Sequence, residues 1–426
     1  MTPIPVAVVG YGNAARTFHI PFLLSLPNQF SLRVVLQRPR PNLPEDNRAQ
    51  SHLPHVQVVP DLEAALQALP EGLGLVIITT NNASHFPYAK QCLEAGKHVV
   101  VEKPAATTED QVWELDQLAR QRGLVCSVYQ NRRFDGDFLT VKTLLSDIAP
   151  TQPSAIGLPT YFESRFDRFR PIAKGGWREE VNTDTEGGGF LWDLGAHLID
   201  QVVSLFGPPQ TVFGSVRNQR GQGNTAVDDE WMGILTYPET QPLPGDEFAP
   251  GTRLAGLQVL VGSTCLSAHT EAEQPRFRIE GTRGSYVKLG KDPQEAQLKR
   301  GWSPRTHGDA FGLYEEQDPA SLRLGRLTTS APVVEPITAS RPPTLASRDI
   351  PTLPGTYLTF YQNLADTIYA SAAAAESGES ATAVIDSMLA IQLKEVANST
   401  RVIRMIRQSA REGRVLSWDA PQAERL

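Results

Sequence analysis

The sequence has little cysteine, no excess of positive charge and no long apolar run, and each shortage closes off a class of protein. Cys92, Cys126 and Cys265 are the only three cysteines among 426 residues, and no two stand at metal-ligand spacing. A disulfide framework and a cysteine-ligated metal are therefore not expected, whereas reduced core thiols and a cytoplasmic setting are. The formal net charge of −7 argues against a nucleic-acid binder with a broad basic surface. It leaves room for a local basic pocket that takes a phosphate. No hydrophobic run approaches the roughly 20 residues a membrane span requires. Met1 to Pro5 leads straight into a strand pattern, so no leader peptide is expected. Internal repeats and coiled-coil heptads are also missing. What is present is an ordinary globular composition, 40% hydrophobic and 20% charged, in a length that favours two domains.

Val6 to Val9 is a short apolar run suited to a buried parallel strand. Gly10-Tyr11-Gly12-Asn13-Ala14-Ala15 follows at once, and then a helical pattern through Phe22, Leu23 and Leu26. In such a GxGxxA loop Gly10 permits the tight turn and Gly12 lets the backbone approach a pyrophosphate. Ala15 lets the helix lie close to the strand, and the free N–H groups at the helix start face the anion. Further strands are predicted over 32–36, 56–59, 75–78, 99–101 and 124–129, with helices over 61–69, 84–95 and about 108–122. This alternation is that of a doubly wound parallel sheet, whose ligands lie at the carboxyl ends of strands, where Gly12, Asn82 and Lys103 fall. An NAD site normally has an acid after its second strand; here Gln37-Arg38-Pro39-Arg40 stands there. Arg38 and Arg40 are expected to clasp a 2′-phosphate, which favours NADP over NAD; the alternative is two solvated loop arginines.

Lys103 follows the fifth strand and precedes a proline. Its ammonium could polarise a substrate oxygen, or it is a surface lysine with no task. The Lys103–Pro104 bond is a candidate for the cis form, which would aim the side chain inward. After Asn131 the pattern changes. A helix through Leu139 to Leu145, a Pro-rich loop over 149–159 and a strand over 160–166 lead to Gly187-Gly188-Gly189 and an apolar helix. That helix is predicted to run from Asp193 as N-cap to a stop at Gly207, with Leu194, Leu198, Val202 and Phe206 as its stripe. Asp193 and His197 are four apart and share a face. A carboxylate and an imidazole there can move a proton on a bound alcohol; the bland alternative is a cap and a packed histidine. Strands over 211–217, 231–237, 257–261 and 277–280, with few helices between them, predict a mostly antiparallel sheet. Residues 238–251 and 328–355 read as mobile loops, and 357–374 and 380–408 as helices.

These residues together resemble the Gfo/Idh/MocA family, the glucose–fructose oxidoreductase and inositol dehydrogenase group. The matching pieces are Gly10 to Arg16, Asn82 to His85, Glu102-Lys103-Pro104 and Asp193-Leu194-Gly195-Ala196-His197. Phe18-His19-Ile20-Pro21-Phe22, Asn131 to Asp135, Gly176-Trp177-Arg178-Glu179 and Asp292 to Glu295 are similar to the branch containing NADP-dependent scyllo-inositol dehydrogenases. Asn81 departs from the proline that many relatives have before the asparagine. The resemblance implies an α/β protein: a Rossmann domain (residues 1–131), then a substrate-binding and oligomerisation domain (132–426) with a large, mostly antiparallel open sheet. It carries a catalytic set onto Lys103, Asp193 and His197. Gly10, Gly12, Asn13, Ala14, Ala15, Arg38, Arg40, Thr80, Asn82, His85, Glu102 and Lys103 are the cofactor-binding candidates. The activity implied is exchange of a hydride between NADP and a secondary alcohol or ketone of a sugar or cyclitol. Arg165, Asp167 and Trp177 are candidate polyol contacts, with structural roles as the alternative. A homodimer or homotetramer is expected, and no metal, nucleic acid or membrane partner. The rival reading is a non-catalytic, nucleotide-sensing regulator of the galactose-repressor type, which shares the fold. The joint presence of Lys103, Asp193 and His197 favours an enzyme.

Overall fold

A computed structural model describes residues 2–39, 42–70, 73–146, 154–239, 256–330 and 343–419. Short runs of β-branched residues pair into the first sheet: β1 (Ile4–Val9), β2 (Phe30–Leu36), β3 (Gln57–Val59), β4 (Leu75–Ile78), β5 (His98–Val101) and β6 (Cys126–Val128). All pairs are parallel, in the order β3-β2-β1-β4-β5-β6. β4 and β5 are buried at every residue, as expected of strands covered by helices on both faces. The strand order reverses between β1 and β4, and the crevice this opens lies at the carboxyl ends, beside Gly10 and Thr79. The helix after the GxGxxA loop begins with a wide π stretch, Ala15–His19, before the regular turns of Ile20–Ser25.

The second sheet contains β7 (Pro159–Arg165), β8 (Thr211–Arg217), β9 (Glu230–Thr236), β10 (Gln258–Thr264), β11 (Pro275–Gly281), β12 (Gly284–Leu289), β13 (Leu324–Ser330), β14 (Leu345–Pro351) and β15 (Leu416–Ser417). Their order is β14-β13-β12-β11-β7-β10-β9-β8-β15, and among the described pairs β7 and β10 alone run parallel. The expected mostly antiparallel open sheet is therefore present. Its inner face packs on the Ala196–Phe206 and Leu393–Glu412 helices, with Leu198, Ile199, Val202, Val259, Val261 and Ile406 in one core. A Cβ at Gly214 would lie 2.1 Å from the Ile406 carbonyl oxygen, so glycine there lets the helix rest directly on the sheet.

Two loop and tail expectations need correction. Within 328–355, residues 328–330 and 345–351 are strand: β14 pairs along its length with β13, while 331–342 lie outside the described residues. β14 is mostly exposed and held by backbone pairing and the Arg326–Asp349 ion pair (2.8 Å), so it carries no alternating apolar signal. Most of the other expected loop, 240–251, also lies outside the described residues. The last helical run is two helices, Ala381–Met388 and Leu393–Glu412, broken where Leu389 and Gln392 are extended. The Tyr357–Ser377 helix returns to the first sheet, where Tyr357, Phe360, Tyr361 and Leu364 share a core with Phe22 and Tyr129.

Candidate active site

β5 ends in Glu102-Lys103-Pro104, and the Lys103–Pro104 peptide is cis. Lys103 Nζ donates to the Asp193 carbonyl oxygen at 2.8 Å and to Asp193 Oδ1 at 3.0 Å. An ammonium at the edge of the first sheet thus meets the helix that packs on the second. Asp193 is not the N-cap expected of it. It lies inside a wide π turn, Leu191–Gly195, continuous with the Ala196–Phe206 helix. The capping work is done from elsewhere: Asp228 Oδ2 accepts the Leu191 N–H at 2.7 Å. Gly189, at φ +91°, makes room for that carboxylate, since a Cβ there would lie 2.3 Å from Asp228 Oδ1. The Asp193 carboxylate is left free to face cations, Lys103 on one side and Arg178 Nε on the other at 3.1 Å. Gly207, at φ +72°, ends the helix as expected.

Burial alone would raise the Asp193 carboxyl, but the charges of Lys103, Arg178 and Arg168 outweigh it and hold the group well below the usual carboxylate range. His197 lies one turn on. Burial, then the Lys103, Arg132 and Arg276 charges, push its imidazole well below the ordinary value despite the opposing Asp193 carboxylate. The ring is therefore neutral near pH 7, and its enclosed Nδ1 has no hydrogen-bond partner. An imidazole in that state can accept a proton from a bound hydroxyl.

The loop after β1 fits a dinucleotide. Gly10 turns at φ +99°, and a Cβ there would lie 3.1 Å from the Thr79 carbonyl oxygen. A Cβ at Gly12 would meet no protein atom within 4 Å, so the loop opens onto free space at the helix start. Asn13 is exposed there, Ala14 half-buried, and Ala15 fully buried beneath the helix. Gln37 holds the place of the missing acid, and its amide is occupied, accepting from Ala49 N at 2.8 Å and donating to Asn47 O at 2.6 Å. Arg38 is exposed and donates to the Tyr88 hydroxyl at 2.7 Å. Arg40 lies outside the described residues.

Four other cofactor candidates brace the cleft through protein partners. Thr80 Oγ1 accepts from Ser84 Oγ at 2.7 Å, and Asn82 Nδ2 donates to Gly187 O at 2.9 Å, tying the β4 loop to the glycine approach. His85 is fully buried between Pro104 O (2.7 Å) and Thr80 O (3.2 Å). Burial pulls its pKa down, so the ring carries one N–H, which the shorter contact to Pro104 takes. Glu102 Oε2 accepts the Lys103 N–H at 3.0 Å, while Oε1 meets His19 Nε2 at 2.9 Å. His19 Nδ1 in turn meets the Tyr361 hydroxyl at 2.6 Å.

Of the polyol candidates, Arg165 and Asp167 face one another in a two-pronged pair at 3.0 and 3.1 Å, and Asp167 also accepts Thr264 N. Trp177 is half-buried under the Arg178 guanidinium, 4.6 Å from its ring centroid. Sequence reasoning placed neither Arg178 nor His19 at the site. The four-residue turn carrying Arg178 is too short for any periodicity to show. His19 did leave a signal, a polar residue on the buried face of an apolar helix. Among the described residues no helix is long and apolar enough to cross a membrane.

Comparison with known proteins identifies the family of the chain. Residues 4–130 match the family described as "Oxidoreductase family, NAD-binding Rossmann fold", and residues 151–287 match the "GFO/IDH/MocA C-terminal domain". The uncharacterized oxidoreductase C115.03 of Schizosaccharomyces pombe is 38% identical over 365 residues, which is 85% of this chain and 88% of that one. The scyllo-inositol 2-dehydrogenase (NADP(+)) IolW of Bacillus subtilis is 31% identical over 413 residues, 97% and 95% of the two chains. The solved structure of yvaA from Bacillus subtilis gives a TM-score of 0.76 at 28% identity, covering 98% of this chain and 99% of that one. By sequence and by the order of both sheets, the chain belongs to the Gfo/Idh/MocA family of NAD-binding oxidoreductases.

Proposed function

We propose that the protein is an NADP-dependent dehydrogenase or reductase acting on a secondary alcohol or ketone of a sugar or cyclitol. One observation carries the reading: Lys103, at the ligand edge of the first sheet, meets Asp193, and both act on a neutral, buried His197 whose Nδ1 is unpartnered. A bound nicotinamide cofactor supplies the two-electron acceptor or donor. The backbone from Gly10 to Ala15 would hold its pyrophosphate, and Arg38, with Arg40, its 2′-phosphate. The missing acid after β2, the occupied Gln37 amide and the NADP(+) in the name of IolW support the phosphorylated cofactor.

In the oxidation direction His197 takes the proton of the reacting hydroxyl, and in reduction it returns it. Lys103 donates a hydrogen bond to the same oxygen and stabilises the negative charge that grows there. Asp193 keeps that ammonium aimed, and it has accepting capacity left to orient a second hydroxyl. The test is NADPH absorbance, gained from NADP+ with a panel of sugars and inositols or lost from NADPH with their keto forms. Turnover that falls by about 10²–10³ in K103M while NADPH binding persists is the expected result. Tight NADPH binding with a wholly silent panel would instead favour the regulator.

A further inference from the structure

Four cations crowd one phenyl ring near Asp193. Arg132 lies 4.7 Å from the Phe166 centroid, Lys291 4.9 Å, Arg168 5.7 Å and Arg276 5.9 Å. Three are answered by carboxylates: Arg132 by Asp135 and Glu295, Arg276 by Asp137 at 3.1 Å, and Lys291 by Glu271 at 2.8 Å. Arg168 is not. Its guanidinium is half-buried between Phe166 and Phe190, 5.2 Å from the latter, and its enclosed Nε has no partner. Among the described residues it makes no side-chain hydrogen bond and no ion pair. The Arg170 side chain, two residues on, is equally without an acidic partner there, and its charge works against that of Arg168.

The backbone holds these two arginines in register. Arg168 N donates to Thr264 O at 3.0 Å, Ser267 N to Arg168 O at 3.1 Å and Arg170 N to Cys265 O at 2.7 Å. Arg220, on Phe190 at 5.7 Å, is by contrast satisfied by Asp229 and Glu179. A part-desolvated guanidinium beside a second guanidinium, with the Asp193 and Glu295 carboxylates acting on it but neither bonded to it, gains from an anion that binds it directly. The site also adjoins the reacting centre, because Arg168 is one of the three cations whose field acts on Asp193.

We propose that Arg168, supported by Arg170, binds an anionic group of the substrate, a carboxylate or a phosphate. The polyol this site takes is then a sugar acid or sugar phosphate, and neutral sugars and inositols are poorer ligands. The word substrate rests on the dehydrogenase reading above, whereas the anion site rests on its own geometry. Arginine is suited to the task, since its planar fork meets a carboxylate or phosphate with two parallel hydrogen bonds.

The test is equilibrium binding of D-gluconate, D-glucuronate and D-glucose 6-phosphate to NADPH-loaded protein at low ionic strength, with D-glucose and myo-inositol as neutral controls. Calorimetry or the fluorescence of bound NADPH reads binding, and oxidation of the same compounds is followed in parallel with NADP+ replacing NADPH, as absorbance gained. At least one anion is expected to bind roughly ten- to hundredfold more tightly than the neutral controls. Comparing the carboxylates with the phosphate shows which group the site prefers. R168M should bring that preference to within about threefold, with NADPH affinity kept, and R168K should retain part of it. Should R168M fail to fold, R168K and the weakening of anion binding by salt carry the same test. Neutral polyols binding as tightly as every anion, or an anion preference that survives R168M, would overturn the proposal. Anions that bind through Arg168 without any redox turnover would uphold the anion site and sink the dehydrogenase reading. Turnover of neutral polyols alone would do the reverse.

Discussion

Replacing Lys103 with Met keeps the aliphatic stem and deletes the charge. In the native protein Nζ lies 3.0 Å from Asp193 Oδ1, with the two side chains 13% and 20% exposed. At an effective dielectric near 20, charges at that distance attract by roughly 5 kcal/mol. Desolvation returns most of this, and Arg178 at 3.1 Å still answers Asp193. The net loss of stability should be about 1–2 kcal/mol. The kinetic loss should be larger, about 10²–10³ in kcat, because a preorganised donor to the reacting oxygen disappears from a water-poor site. D193N should also lower kcat by releasing the ammonium from its aim. Because Lys103 and Asp193 act as one unit, the double variant K103M/D193N should lose little more than the worse single variant. Steady-state kinetics, NADPH binding and thermal denaturation on the four proteins supply the readouts. A K103M protein that keeps most of its turnover, or losses that multiply fully in the double variant, would refute the reasoning.

Further predictions concern pH and cofactor choice. The acid limb of kcat should fall below pH ~6.5, the ordinary histidine value, because burial and the Lys103, Arg132 and Arg276 charges keep His197 neutral; a limb at or above that value contradicts the base assignment. In the unfolded chain the same histidine takes up a proton, so the native state loses stability as pH drops below ~6.5. H197Q should flatten that slope in urea titrations. His98 adds a second contribution, since burial and Lys97 push its ring down to about 4, with Nδ1 accepting the Val125 N–H at 3.0 Å. Acidification from pH ~6.5 to about 4 should therefore cost roughly 3 kcal/mol through His98, and H98Q should remove most of that dependence. Finally, R38S should weaken NADPH binding about tenfold and leave NADH nearly unchanged; equal weakening of both would remove Arg38 from the 2′-phosphate.

How much of this can be read from sequence depends on whether the controlling contact is local. β4 and β5 are legible because continuous β-branched runs buried on both faces resemble little else. β14 is not, because exposed polar residues are held there by backbone pairing to another strand. The site divides the same way. Lys103, Asp193 and His197 stand out by motif and spacing, but the partner each charge finds is a property of the folded chain. Arg165 and Arg168 look equally available in sequence, yet Arg165 is paired with Asp167, whereas Arg168 forms no ion pair among the described residues. Asp193 reads as a capping residue because the helix start beside it needs an acceptor. Asp228 answers that need from just before β9, and Arg407 on the Leu393–Glu412 helix holds Asp228 in place at 2.8 Å. The carboxylate that faces Lys103 is therefore available only because another has taken over its local duty. D228N should for that reason disturb turnover as well as stability, although among the described residues Asp228 bonds to Phe190, Leu191 and Arg407 and to neither Lys103 nor His197.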